Sequence, residues 1–348
     1  MSTANRKLRA GIVGGGRGAF IGAVHRIAAE LDGAARVVAG AMSADPANAR
    51  ASAEDWNLDR SYDSFESMAQ AERGRADGID FVIIATPNHL HYPAAKAFLE
   101  AGIPVICDKP LAFSLQEAEG FVQLVEKGST LFALTHNYTG YPLVRHAREL
   151  VREGSLGELR KVLVEYNQDW LMSPLEREGN KQAQWRTDPK RAGISGCVGD
   201  IGTHAANLLE FISGRRIQSV CADLTAFVPG RQLEDDANML VRLEGGAKGS
   251  LVCSQVACGE ENRAAHPAVR VARGPRVGAA GTQHAVVQAG RGSLAAASHR
   301  QTLPERGRQP RQPHARGTSG RVPGSLRRPL PAVHRGRAPR AAGRGAVA

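Results

Sequence analysis

Beyond Arg263 the sequence contains no Phe, Tyr, Trp, Ile, Met, Lys, Asp, Asn or Cys, and all 17 aromatic residues lie before that point. Residues 264–348 hold 16 Arg against a single acid, Glu305, a net charge of +15 in a chain whose total is +11. The preceding 263 residues therefore carry −4. A strongly basic chain ordinarily points to an anionic partner. Here the basicity is confined to one segment, the rest is mildly acidic, and no specific nucleic-acid partner is implied. A segment of mostly Ala, Arg, Gly and Pro cannot bury enough apolar surface to offset its chain entropy, so disorder is expected from 264 to 348.

Other absences narrow the class further. The five cysteines, Cys107, Cys197, Cys221, Cys253 and Cys258, are odd in number and show neither metal-knuckle nor C-x-x-C spacing. No metal site is implied, and reduced thiols in a cytoplasmic protein are the simplest account. No apolar run approaches the roughly 20 residues of a membrane span, and residues 1–10 lack the apolar core of a signal peptide. No membrane partner is expected.

The length, 348 residues, suits two domains. An apolar run at 8–13 ends in Gly14-Gly15-Gly16, and Phe20, Ile21, Val24, Ile27 and Leu31 follow at helical spacing. Residues 79–85, IDFVIIA, form the continuous apolar run of a buried parallel strand. Further strands are expected at 36–42, 104–107 and 131–135, with helices at 47–56, 65–71, 91–101 and 114–127. This βαβ rhythm predicts a doubly wound parallel sheet in a domain spanning 1–140. After Tyr141 the pattern changes to longer strands at 161–169, 219–228, 238–244 and 249–257, with helices at 144–153 and 204–212. That predicts an α+β domain over 141–263 with a mostly antiparallel, open and truncated sheet.

Gly14-Gly15-Gly16-Arg17-Gly18-Ala19 stands between the first strand and the first helix. In that context it reads as a dinucleotide-binding turn. Gly14 permits the tight turn, Gly16 lets backbone approach a pyrophosphate, and Ala19 or Gly18 allows close helix packing. The helix N-terminus offers free N–H groups to phosphate. Where the second strand ends, Met42-Ser43-Ala44-Asp45 replaces an obvious ribose-binding acid. Ser43 with Arg50 suits a 2′-phosphate. Asp45 suits a free 2′-hydroxyl, or simply caps the helix before Pro46. The choice between NAD and NADP stays open.

Ala85-Thr86-Pro87-Asn88-His89-Leu90-His91 lies at the carboxyl end of the buried strand, where open α/β sheets bind ligands. Asp108-Lys109-Pro110 ends the next strand. Later, Gly196 to His204 reads G-x-x-x-D-x-G-x-H, with Asp200 and His204 at i and i+4 on one helix face. A His, a carboxylate and a Lys suit movement of a hydroxyl proton while hydride leaves carbon. Each residue also has an ordinary reading, as a solvated strand-end charge, a helix cap or a packed helix residue.

Together, in order over residues 8–262, these motifs resemble the glucose–fructose oxidoreductase/inositol dehydrogenase (Gfo/Idh/MocA) family. Asp108 departs from that family's usual Glu-Lys-Pro. The resemblance implies a Rossmann domain followed by an open antiparallel sheet domain. It implies NAD(P)-linked oxidation or reduction of a secondary hydroxyl on a sugar or polyol, and a homo-oligomer. Position by position, it makes Lys109 the catalytic lysine, Asp200 its acidic partner and His204 the acid/base. It places Phe20, Ile21, Thr86, Pro87, Asn88, His91 and Asp108 beside the cofactor. It places Asn137 and Tyr138 at the domain junction and, with Trp185 and Arg186, within reach of substrate; the last two also read as a structural tryptophan and an Arg–Asp pair. The alternatives are a cofactor-sensing or inactive protein of the same fold, or a relative that uses NAD during glycoside cleavage.

The segment after Asn262 does not fit this family. Shifted by one nucleotide, the codons of 263–270 admit Ala-Leu-Arg-Ile-Arg-Leu-Tyr-Gly, and those of 315–322 admit Pro-Glu-Gly-His-Leu-Asp-Ala-Phe. Both resemble the family's closing segments. Out-of-frame translation of a GC-rich gene accounts for them. The competing reading is a genuine basic arm. On the frame-change reading, the strand near Ala257 loses its neighbours and oligomer assembly suffers.

Overall fold

The computed structural model describes residues 6–260 and, as backbone, three later strands within 268–298. The first domain is a six-stranded, all-parallel sheet. Its strands are β1 (Leu8–Gly14), β2 (Ala35–Ala41), β3 (Arg60–Ser61), β4 (Phe81–Ala85), β5 (Val105–Asp108) and β6 (Phe132–Thr135), in the order β3-β2-β1-β4-β5-β6. Between them run α1 (Ile21–Glu30), α2 (Pro46–Asp55), α3 (Phe65–Glu72), α4 (His91–Glu100) and α5 (Leu115–Lys127). Asp45, Ser64 and Ser114 cap α2, α3 and α5 with side-chain oxygens, which fixes where those helices begin.

Alternate residues of the buried strands serve two cores. Val82, Ile84 and Val105 pack with Phe98 and Phe121 on one side, and Ile12, Val37 and Ile83 pack on the other. The helical spacing expected after the glycine turn is present in α1, but its apolar stripe faces outward: Phe20, Val24, Ile27 and Leu31 are all exposed. The helix instead approaches the sheet through Gly22, its one fully buried residue.

The second domain begins with α6 (Pro142–Arg152) and contains β7 (Leu159–Asn167), α7 (Lys181–Arg186), α8 (Pro189–Ala192), α9 (Thr203–Ser213), β8 (Ile217–Thr225), β9 (Asp236–Leu243) and β10 (Lys248–Ser254). Helices α7 and α8 are additions to the expected pattern. Each is shorter than two turns, too short to show a periodic apolar face. One face of the sheet packs Val162, Val164, Val241 and Leu251 against Leu208, Leu209 and Ile212 of α9.

Three further backbone strands, β11 (Ala268–Arg273), β12 (Gln283–Gln288) and β13 (Ser293–Ser298), complete the order β13-β12-β11-β7-β10-β9-β8. Every neighbouring pair is antiparallel except β7 with β10. The expectation of disorder throughout 264–348 is thus corrected at these three strands; the rest of that stretch lies outside the described residues. The correction has a simple cause, because the ladder of β11 on β7 uses main-chain groups that any non-proline residue supplies. The strand near Ala257 does not lose its neighbours either: β10 lies between β7 and β9, and β7 is the strand whose partner comes from beyond Asn262. Among the described residues no helix is long and apolar enough to cross a membrane.

Candidate active site

The carboxyl ends of β1, β2, β4 and β5 open into a cavity of about 800 Å³ that the second domain closes from the other side. At the glycine turn, Gly14 has φ +80°, and a Cβ there would meet the Ala85 carbonyl oxygen at 2.5 Å. Gly15 and Gly22 make the close helix approach, since a Cβ on Gly22 would lie 2.4 Å from Gly15 Cα. This corrects the assignment of that role to Ala19 or Gly18. The space beside Gly16 is filled by Met42 O, 2.7 Å from a built Cβ, so this glycine lets the turn sit against the end of β2. Gly14, Gly16, Ala19, Phe20 and Ile21 all border the cavity.

At the end of β2, Ser43 lines the cavity, and its hydroxyl accepts from Asp45 N at 3.1 Å. Asp45 caps α2 through Ala47 N, which is the helix-cap reading. Neither Asp45 nor Arg50 borders the cavity. Arg17 does, but both arms of its guanidinium bond Asp55, at 2.6 and 2.7 Å.

At the ends of β4 and β5, Thr86, Pro87, Asn88, Asp108 and Lys109 border the cavity. Asn88 reaches across to the second domain, donating to Ala192 O at 2.9 Å. His91 stands elsewhere than expected. It is 1% exposed, and its ring nitrogens face Pro110 O at 2.7 Å and Thr86 O at 3.0 Å. It clips the two motif loops together and does not border this cavity. Burial lowers its pKa, against the pull of the two carbonyls.

The second domain supplies the other half. Glu234 Oε1 accepts from the N–H groups of Gly196 and Val198, at 2.9 and 3.1 Å, and so fixes the entry to a wide π-type turn at Val198–Gly202. That turn delivers Asp200 and then runs into α9, which carries His204. Lys109 Nζ donates to Asp200 Oδ1 and to its main-chain oxygen, each at 2.8 Å. Arg186 Nε and Gln255 Nε2 donate to Asp200 Oδ2 at 3.1 and 2.8 Å. Burial would raise the Asp200 carboxyl, but Lys109 and Arg186 hold it far below the ordinary carboxylate range. Arg186 also stacks on Trp185, 4.2 Å from the ring centroid, and both residues border the cavity.

Asp200 makes no hydrogen bond to His204. Its oxygens are taken by Lys109, the partner the resemblance gives it, and by Arg186 and Gln255, so the carboxylate–histidine pair that the i, i+4 spacing suggests does not form. The buried Nδ1 of His204 lacks a hydrogen-bond partner, and its ring is held edge-on to Tyr138, with centroids 4.7 Å apart. Burial, reinforced by Lys109, pushes its pKa down to about 3. Tyr138 lies behind the cavity wall, its hydroxyl 2.6 Å from that of Tyr166. Asn137 is exposed and also off the wall. Neither takes the substrate-facing place the resemblance implied, because the turn after β6 buries one and directs the other to solvent.

Tyr166, Gln168 and Trp170 line the cavity instead. The alternation from Val162 through Val164 to Tyr166 along β7 is a signal that finds the first of these. Gln255 and Lys181 have no comparable sequence signal. Among the described residues no His, Cys, Asp and Glu cluster suits a metal ion. The cavity fits a dinucleotide on its own evidence. The bare glycine turn forms one end, and Thr86 Oγ1 is buried on the wall without a hydrogen-bond partner.

Residues 8–136 match the oxidoreductase family with NAD-binding Rossmann fold, and residues 144–286 match the GFO/IDH/MocA C-terminal domain. An uncharacterised oxidoreductase of Bacillus subtilis is 34% identical over 260 residues, 73% of this chain and 66% of that protein. The matched stretch thus falls just short of two thirds of that relative. Levoglucosan dehydrogenase of Pseudarthrobacter phenanthrenivorans is 28% identical over 290 residues, 74% of this chain and 70% of that one. The structure of an inositol dehydrogenase homolog from Azotobacter vinelandii, complexed with NAD+, superimposes with a TM-score of 0.75 at 33% identity, covering 84% and 76% of the two chains. With both domains matched in order, the chain belongs to the Gfo/Idh/MocA family of oxidoreductases.

Proposed function

We propose that this protein is an NAD(P)-dependent dehydrogenase acting on a secondary hydroxyl of a sugar, polyol or related carbohydrate. The observation that carries the reading is the meeting of Lys109, Asp200 and His204 on the wall of the same cavity as the glycine turn. A bound nicotinamide supplies the hydride acceptor. His204, neutral at ordinary pH, takes the hydroxyl proton. Lys109, fixed in place by its ion pair with Asp200, polarises the same oxygen. Arg186 and Gln255 hold Asp200 so that the lysine keeps its direction. The sequence resemblance and the names of the relatives support a carbohydrate substrate.

NAD(H) is the preferred cofactor in this reading. Arg17, beside the end of β2, is committed to Asp55, and Asp63 and Glu66 border the cavity, so a 2′-phosphate gains little there. The test is absorbance of the reduced nicotinamide with a panel of polyols, aldoses and anhydrosugars, using each cofactor in turn. Formation of one NADH per substrate oxidised supports a dehydrogenase. Turnover without net NADH supports transient oxidation during bond cleavage.

A further inference from the structure

We propose that Lys181, from the second domain, is a ligand for the pyrophosphate of the dinucleotide. The inference rests on the cofactor reading above and adds a residue to it. A glycine turn offers phosphate its main-chain N–H groups, but its own cation, Arg17, is bonded to Asp55. A free charge reaches the turn from across the cavity. Asn180 caps α7, its Oδ1 accepting from the N–H groups of Gln182 and Ala183 at 2.9 and 3.1 Å, which fixes the direction of the first helical residue, Lys181. Lys181 Nζ stands 3.4 Å from where a Cβ on Gly18 would sit, and its Cδ stands 3.7 Å away. Gly18 has φ +84°, a conformation that L side chains rarely adopt, so the turn presents bare backbone to the lysine. Among the described residues Lys181 has no ion-pair partner, and it borders the same cavity as the turn. An ammonium over a glycine turn makes a charge-assisted bond to phosphate and leaves room for it.

The same helix links this end of the cavity to the catalytic residues. Gln182 Nε2 lies 3.5 Å from Gly18 O, and its Oε1 accepts from Arg186 Nη1 at 2.8 Å. Arg186 in turn bonds the Asp200 carboxylate that holds Lys109. A pyrophosphate drawn to Lys181 therefore seats α7 on the turn and, through Gln182 and Arg186, steadies Asp200.

The test uses the full chain and measures affinity for NADH and for ADP-ribose, which keeps the pyrophosphate but lacks the nicotinamide. Lys181→Ala is expected to weaken both about tenfold, the scale of one hydrogen bond to a charged group. It is also expected to flatten the salt dependence of binding, while Lys181→Arg restores most of the affinity. Unchanged ADP-ribose binding in Lys181→Ala overturns the proposal. So does an equal loss in Lys181→Arg, which assigns the residue to the shape of α7 rather than to phosphate. Failure of the unaltered chain to bind ADP-ribose overturns the cofactor reading itself, and the proposal with it.

Discussion

His204 sits in a place that strips its proton. Burial and Lys109 push its pKa down to about 3, against the pull of Asp200. In the proposed reaction the acting base is the neutral ring, which is present above the folded pKa and lost only as pH falls through it. Between about pH 5 and 8, where an ordinary histidine titrates, kcat/KM is therefore expected to show no acid limb from this residue. His204→Asn is expected to lower kcat roughly 10²–10⁴-fold across that whole range. An acid limb near the ordinary histidine pKa that vanishes in the variant contradicts the assignment. Lys109, Asp200 and His204 were legible in sequence because each ends a strand or opens a helix in a recognisable motif. Their connections were legible only in part, since the resemblance pairs Lys109 with Asp200. The motif spacing suggested an Asp200–His204 pair, whereas three donors from separate parts of the chain, Lys109, Arg186 and Gln255, converge on Asp200. Spacing along one helix shows which residues share a face; it does not show what a distant strand brings to that face.

The glycine turn and α1 show the same limit one level up. The turn was legible from its place between a strand and a helix, yet the glycine that seats the helix lies outside the string, at Gly22. A Cβ there would stand 2.4 Å from Gly15 Cα and 3.0 Å from Gly15 O, main-chain atoms that cannot step aside without moving the turn. Gly22→Ala is expected to cost about 1–3 kcal/mol of stability, the range for overpacking a close contact, and to weaken NADH binding. Gly140→Ala, where nothing lies within 4 Å, serves as the control and is expected to do neither. Urea unfolding and NADH titration of both variants check this, and equal stability of the pair counts against a tight Gly15–Gly22 seat. The outward stripe of Val24, Ile27 and Leu31 belongs to the same lesson. Its helical period was plain in sequence, but period identifies a face without saying whether that face meets the core or solvent.

For the whole molecule, the order of two domains was readable because the βαβ rhythm stops near Tyr141 and longer strands begin. The junction was not, because it depends on short helices such as α7 that carry no periodic signal. A change of reading frame directly after Asn262 remains our proposal for the aromatic-free, arginine-rich stretch. The family match runs on to residue 286, past that point, so the gene itself is the test. Sequencing is expected to show a single-nucleotide departure there, and restoring the frame to raise thermal stability by returning the family's own closing strands to the sheet. An intact frame, or a restored chain no more stable, contradicts the proposal. The central claim, that the cavity between the domains is a dehydrogenase site, is tested most directly by Lys109→Ala beside the unaltered residue, both in the frame that sequencing establishes. NADH formation from the carbohydrate panel and NADH affinity are measured together. The account predicts NADH formation in proportion to substrate, a turnover lowered roughly 10²–10⁴-fold in the variant, and retained NADH affinity. Undiminished turnover by Lys109→Ala would contradict it.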